Sequence, residues 1–138
     1  MQSSINWKGG MAFEAESGSG HKVLIDGPPD SGGLNQGPRP MEMLLMGMGA
    51  CSQVDVISIL KKSRQDVSDC GVDITAERSE EHPKVFTSIH LHYRITGKGI
   101  QEKTVQRAIE LSAEKYCSAS SMMGAMAKIT HDFEILEG

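Results

Sequence analysis

Aromatic residues make up only 4% of the chain and cysteines number only three. Three unevenly spaced cysteines are too few for a disulfide scaffold of the kind that holds small secreted domains together. A strong charge imbalance is also missing. The net charge is -4, and a mildly acidic surface gives no reason to expect a nucleic-acid partner. Met1–Asn6 is polar, without the positive start and apolar run of a secretory signal. The longest apolar stretch, Pro40–Leu60, is interrupted too often to be expected to span a bilayer. A cytoplasmic protein with no membrane partner is therefore expected. No glycine-rich phosphate cradle, Gly-x-Ser-x-Gly elbow, internal repeat or heptad array is present, and no cofactor is expected.

What remains reads as one α+β domain, residues 1–138. That length suits one independent core, and 38% hydrophobic with 23% charged residues argues against disorder. Ile5–Glu16, broken by Gly9-Gly10, and Val23-Leu24-Ile25 predict short strands of an N-terminal sheet. Residues 27–40, dense in glycine and proline, predict a loop. Pro40 suits the first position of a helix running to about Arg64, apolar nearly all round and hence central and buried. Val72, Ile74 and Ala76 alternate with polar residues, as do Val85, Thr87, Ile89, Leu91, Tyr93 and Ile95, predicting an antiparallel hairpin with its tip at 78–84. Val105, Ala108, Ile109, Ser112, Ala113 and Tyr116 predict one amphipathic helix over 101–116. A short third helix follows Cys117, and a last strand carries Ile129, His131, Phe133 and Ile135.

The chemistry centres on thiols. Cys51 lies within the apolar helix, with Ser52, Gln53 and Asp55 inside one turn, and polar neighbours can hold the reactive thiolate. Asp55 is costly to bury without partners, and its structural alternative is to cap or pair with a neighbouring strand. Cys117 is expected at the positive end of the third helix, a position that lowers a thiol pKa. If the fold brings Cys51 and Cys117 within about 4.4–6.8 Å, Cα to Cα, the pair can open and close a disulfide. Cys70, expected at the start of a strand, reads as structural. Nine methionines, mostly at 41–48 and 122–126, fit core packing or a soft pocket wall around the thiols. His90 and His92 point the same way from one strand, and with His131 they form the only metal-ligating alternative. No carboxylate has matching spacing in sequence, His131 reads as a core histidine, and no metal is expected.

The segment Pro40-Met41-Glu42-Met43-Leu44-Leu45-Met46-Gly47-Met48-Gly49-Ala50-Cys51, with Tyr116-Cys117-Ser118-Ala119-Ser120 and the order of elements, resembles the OsmC/Ohr family of osmotically inducible and organic hydroperoxide resistance proteins. The resemblance covers essentially the whole chain and falls within an OsmC-like branch. It implies an α+β fold in which antiparallel sheets pack on a long central helix, two chains intertwine as a homodimer, and active sites lie at their interface. It also implies that Cys51 attacks a small organic hydroperoxide and becomes a sulfenic acid, that Cys117 resolves it as a disulfide, and that a thiol reductant restores the pair.

The chain departs from that pattern in places. Family peroxidases carry a glutamate directly after the helix-opening proline, where it helps hold an activating arginine. Here Met41 stands there and Glu42 comes one residue later, a shift that turns a side chain by about 100° on a helix. Arg39 is the one arginine before Cys51, at a different place, and Lys8 offers only a point charge in substitution. Ser118 replaces the proline common after the second cysteine. Glu42, Arg39, Lys8 and Asp55 are therefore supporting candidates. The alternative function is a non-catalytic dimer binding a small hydrophobic ligand in the interfacial pocket.

Overall fold

The computed structural model describes residues 1–138. The chain divides into two compact units, Met1–Met46 and Gly47–Gly138.

In the first unit, strands β1 (Ser3–Trp7), β2 (Phe13–Ser17) and β3 (Lys22–Ile25) form an antiparallel sheet in sequence order, as the broken N-terminal pattern predicts. Gly9 and Gly10 turn the chain between β1 and β2 with φ of +96° and +55°, a region that glycine enters without steric cost. The loop after β3 is organised by Asp26. Its buried carboxylate accepts backbone N–H groups from Gly27, Leu34 and Gln36 at 2.7, 3.1 and 3.2 Å. Gly33 crosses Gly27 so closely that a Cβ there would collide with the Gly27 carbonyl.

Helix α1 (Pro40–Lys62) opens with proline, and Glu42 Oε1 reaches back to accept the Arg39 N–H at 2.8 Å, the reciprocal half of a capping box. Lys61 and Lys62 close it, favourably placed at the negative end of the dipole. The helix is not buried all round. Met48, Gly49, Ser52, Val56 and Leu60 form its buried row, whereas Leu44, Met46 and Val54 are exposed. By length and composition α1 would suffice to cross a bilayer, contrary to expectation, a test that core helices of soluble proteins also pass.

The second unit holds β4 (Asp66–Arg78), β5 (Phe86–Lys98), α2 (Glu102–Leu111), α3 (Ser118–Gly124) and β6 (Lys128–Glu137). β4 and β5 form the expected antiparallel hairpin, but β6 joins β5 in parallel, so this sheet is mixed rather than antiparallel throughout. Ile89, Leu91, Tyr93 and Ile95 line its inner face, and with Val105, Ala108 and Ile109 of α2 and Met48, Val56 and Leu60 of α1 they make up most of the core. Burying each large aliphatic side chain stabilises the fold by roughly 1.5–3 kcal/mol.

Four local expectations change. Phe86, not Thr87, is buried, because the register slips between Glu77 and Arg78 and moves one residue of β5 to the other face. β4 begins at Asp66, which puts Cys70 inside the strand rather than at its start. The predicted helix over 101–116 ends at Leu111, and Ser112–Tyr116 continue as a wider π-helical turn. His131 is exposed on β6, so it is not a core histidine.

Candidate functional site

All three thiols are free, and all lie in the second unit. Cys51 is half-buried on α1, and the next residue, Ser52, is fully buried with its hydroxyl donating to Gly49 O at 3.0 Å. Asp55, one turn on, does not pair with a strand. Its Oδ2 accepts from the Ser112 hydroxyl at 3.0 Å, and the same hydroxyl lies 3.2 Å from the Ser52 carbonyl oxygen. Ser112 opens the π-helical turn, whose last hydrogen bond runs from the Cys117 N–H to Ser112 O at 2.8 Å. Single π turns of this kind recur at functional sites.

Cys117 is 2% exposed and is itself the N-cap of α3, its Sγ accepting the Ser120 N–H at 3.3 Å. The cap geometry is as expected, but its effect on acidity is not. Burial pushes the Cys117 thiol up and the Ser120 hydrogen bonds pull it part of the way back. The neighbouring Cys51 pushes it up further, and the net direction is above an ordinary thiol. Desolvation of a small buried group therefore outweighs one turn of helix. Ser112, through the Ser52 carbonyl and the Cys117 N–H, links the backbones that carry Cys51 and Cys117, and the influence of Cys51 on the Cys117 thiol marks the two as neighbours.

Tyr93 borders the same cluster from β5. Burial raises its phenol, a hydrogen bond with Ser52 opposes that, and the charges of Cys117, Cys70 and Asp55 raise it further. Cys70 is half-buried on β4. Burial and Asp69 push its thiol up, against a lowering by Arg94.

The remaining candidates belong to the first unit. The Arg39 guanidinium donates to Asn35 Oδ1 at 2.8 Å and to Gly37 O at 3.2 Å, so it is engaged locally, as is Glu42 at the start of α1. Lys8 is exposed beyond β1, and its N–H donates to Ala12 O at 2.9 Å. Met48 is fully buried, but Met46, Met122 and Met126 are exposed. An open groove of ≈ 600 Å³ runs along α1, lined by Ala50, Gln53, Val54, Ile57, Ser58 and Lys61.

His90 and His92 do meet carboxylates, across the strand pair rather than along the sequence. Asp132 Oδ1 lies 3.0 Å from His90 Nε2 and 2.7 Å from His92 Nδ1, and Glu134 Oε1 lies 3.2 Å from His92 Nε2. No group of three His, Cys, Asp or Glu side chains is set to hold a metal ion.

Sequence reasoning found Cys51, Ser52, Asp55 and Cys117 but missed Ser112 and Tyr93 as members of the cluster. A serine on the apolar stripe of a helix, as Ser112 is, was the available signal. A buried hydroxyl needs a partner and so marks a polar contact inside the core.

A family model described as OsmC-like protein matches residues 32–132. Protein YhfA of Escherichia coli is 49% identical over 136 residues, which span 99% of this chain and 98% of the relative. Among solved structures, a hypothetical protein from Aquifex aeolicus superposes with a TM-score of 0.87 at 32% identity, covering 99% of this chain and 96% of that one. The organic hydroperoxide resistance protein OhrB of Bacillus subtilis shares the fold, with a TM-score of 0.64 at 16% identity and coverage of 97% and 98%.

Proposed function

Since the chain belongs to the OsmC-like protein family, we propose that it is a thiol-dependent redox protein that reduces small organic hydroperoxides at Cys51, with Cys117 as the resolving thiol. The observation that carries this reading is that Ser112 ties the backbone beside half-buried Cys51 to the backbone of buried Cys117, with Cys51 near enough to influence the Cys117 thiol. The Cys51 thiolate attacks a peroxide oxygen, the O–O bond breaks, and the alkoxide leaves as alcohol after taking a proton. Cys51 is then a sulfenic acid. Cys117 gives up its proton and attacks the Cys51 sulfur, the S–O bond breaks, water leaves, and a disulfide remains. A thiol reductant returns both sulfurs to the starting state by exchange. The protein acts as a cytoplasmic homodimer, in which a second chain would close the open face of α1 over the thiols.

The test adds cumene hydroperoxide to reduced protein and counts free thiols. Loss of two thiols per chain, abolished in Cys51→Ser, is the expected result. A Cys51→Ser variant that consumes peroxide as the wild type does would end the assignment.

A second reading has its own support. Arg39 is held by Asn35 and Gly37, and Glu42 caps the helix that follows, so both are occupied by local structure. The same fold would then bind a small hydrophobic ligand on the apolar side of α1 without turnover. Unchanged thiols after peroxide treatment favour this version.

A further inference from the structure

Resting on the redox reading above, we propose that Ser112 is a positioning residue that sets the separation of Cys51 from Cys117 and so governs the disulfide-forming step. Ser112 is fully buried, and its single side-chain proton faces two acceptors, the Ser52 carbonyl and the Asp55 carboxylate. Its own carbonyl accepts the Cys117 N–H. One residue therefore connects the backbone next to Cys51 with the backbone of Cys117 through two hydrogen bonds, across a sequence gap of 60 on the α1 side. Asp55, an otherwise unaccounted carboxylate within the most apolar helix, is the acceptor that holds the Ser112 hydroxyl in place.

The π-helical turn makes this contact consequential. Its bond from Cys117 back to Ser112 spans five residues, one more than an α-helix allows, so Cys117 is presented one residue out of α-helical phase with α2. A turn that relaxed to α-helical winding would rotate the Cys117 side chain by about 100°. Ser112, tied to α1, holds the wider turn. The two chemical steps differ in what they need. Attack of Cys51 on the hydroperoxide breaks the O–O bond and requires nothing of Cys117. Attack of the Cys117 thiolate on the Cys51 sulfenic sulfur forms the S–S bond and breaks the S–O bond, the leaving hydroxide taking up a proton to become water, and it requires the Cys117 sulfur in line with that S–O bond. A displacement of about 1 Å suffices to slow such a step by orders of magnitude.

The experiment treats reduced protein with one equivalent of cumene hydroperoxide in the presence of dimedone. Mass spectrometry then measures the ratio of Cys51 sulfenic adduct to Cys51–Cys117 disulfide. Ser112→Ala is expected to shift this ratio toward the adduct by about tenfold or more. Asp55→Ala shifts it the same way, and Ser112→Thr, which keeps the hydroxyl, restores the disulfide. Circular dichroism checks the fold, and if Ser112→Ala does not fold, the Asp55→Ala comparison decides. A wild-type ratio in folded Ser112→Ala or Asp55→Ala overturns the proposal, as does equal behaviour of Ser112→Ala and Ser112→Thr, which would make the effect one of packing. Wild-type protein that loses no thiols overturns the redox reading itself, and the positioning role with it.

Discussion

At the scale of single residues, environment decides ionisation more than residue type does. Cys117 caps a helix, yet burial and Cys51 leave its thiol above the ordinary value. His92 shows the opposite direction. Both ring nitrogens face carboxylate oxygens, Asp132 and Glu134, and a neutral imidazole has only one N–H to offer, so the arrangement suits the imidazolium. The hydrogen bonds to Asp132 and then Glu134 raise its pKa, against a smaller lowering by burial. Asp73, opposite His92 on β4, pairs with Arg94, and Asp69, Glu77, Lys128 and His90 are the further charged or titratable groups near it on this face. A folded pKa raised above the unfolded one adds stability in full below about 6.5, the unfolded value, and the gain is lost as pH rises through the folded value. The urea midpoint of the wild type is therefore expected to fall as pH rises from about 6 into the alkaline range, and His92→Gln to flatten that fall. An unchanged pH dependence in His92→Gln would remove the role. Cys51, Asp55 and Cys117 were legible in the sequence because a thiol or a carboxylate in an apolar run is conspicuous. Asp132, Ser112 and Tyr93 were not, because their partners lie across strands or 57 residues away in the chain.

At the scale of elements, α1 carries the site and its close packing constrains it. A Cβ at Gly49 would lie 2.8 Å from Ile74 Cδ1 and 3.4 Å from Val72 Cγ1. Ile74 Cδ1 is the far end of a flexible side chain, and alanine gains roughly 0.8–1 kcal/mol over glycine in a helix interior. Gly49→Ala is thus expected to be near neutral by urea denaturation. Gly49→Leu is expected to lose about 1–3 kcal/mol from overpacking, and a neutral Gly49→Leu would show that the helix does not seat against β4 at this point. Leu60, fully buried on the same row, tests the core directly: Leu60→Ala is expected to cost about 2–5 kcal/mol. Element existence followed from periodicity, including the hairpin and the proline-opened helix. The parity of Phe86 did not, since a register slip leaves the alternation of residue types unchanged. Nor did the π turn, because Ser112, Ala113 and Tyr116 continue a helical spacing whichever way the backbone winds.

At the scale of the whole molecule, the α+β class and OsmC-like family were readable from the order of elements and the two cysteine motifs, and the matched residues 32–132 contain both thiols. The parallel pairing of β6 was not readable, because the strand pattern is the same in either direction. One chain leaves Ile5, Trp7, Val23 and Leu24 of the N-terminal sheet and Val54 of α1 exposed. Exposed apolar surface of this extent fits the proposed homodimer, and sedimentation is expected to give twice the mass of the chain. The account rests above all on which sulfurs join when the protein meets an oxidant. Peptide mapping after one equivalent of organic hydroperoxide addresses that directly. The expected product is a Cys51–Cys117 disulfide with Cys70 still free, and intact thiols at all three positions, or a disulfide that excludes Cys51, would contradict it.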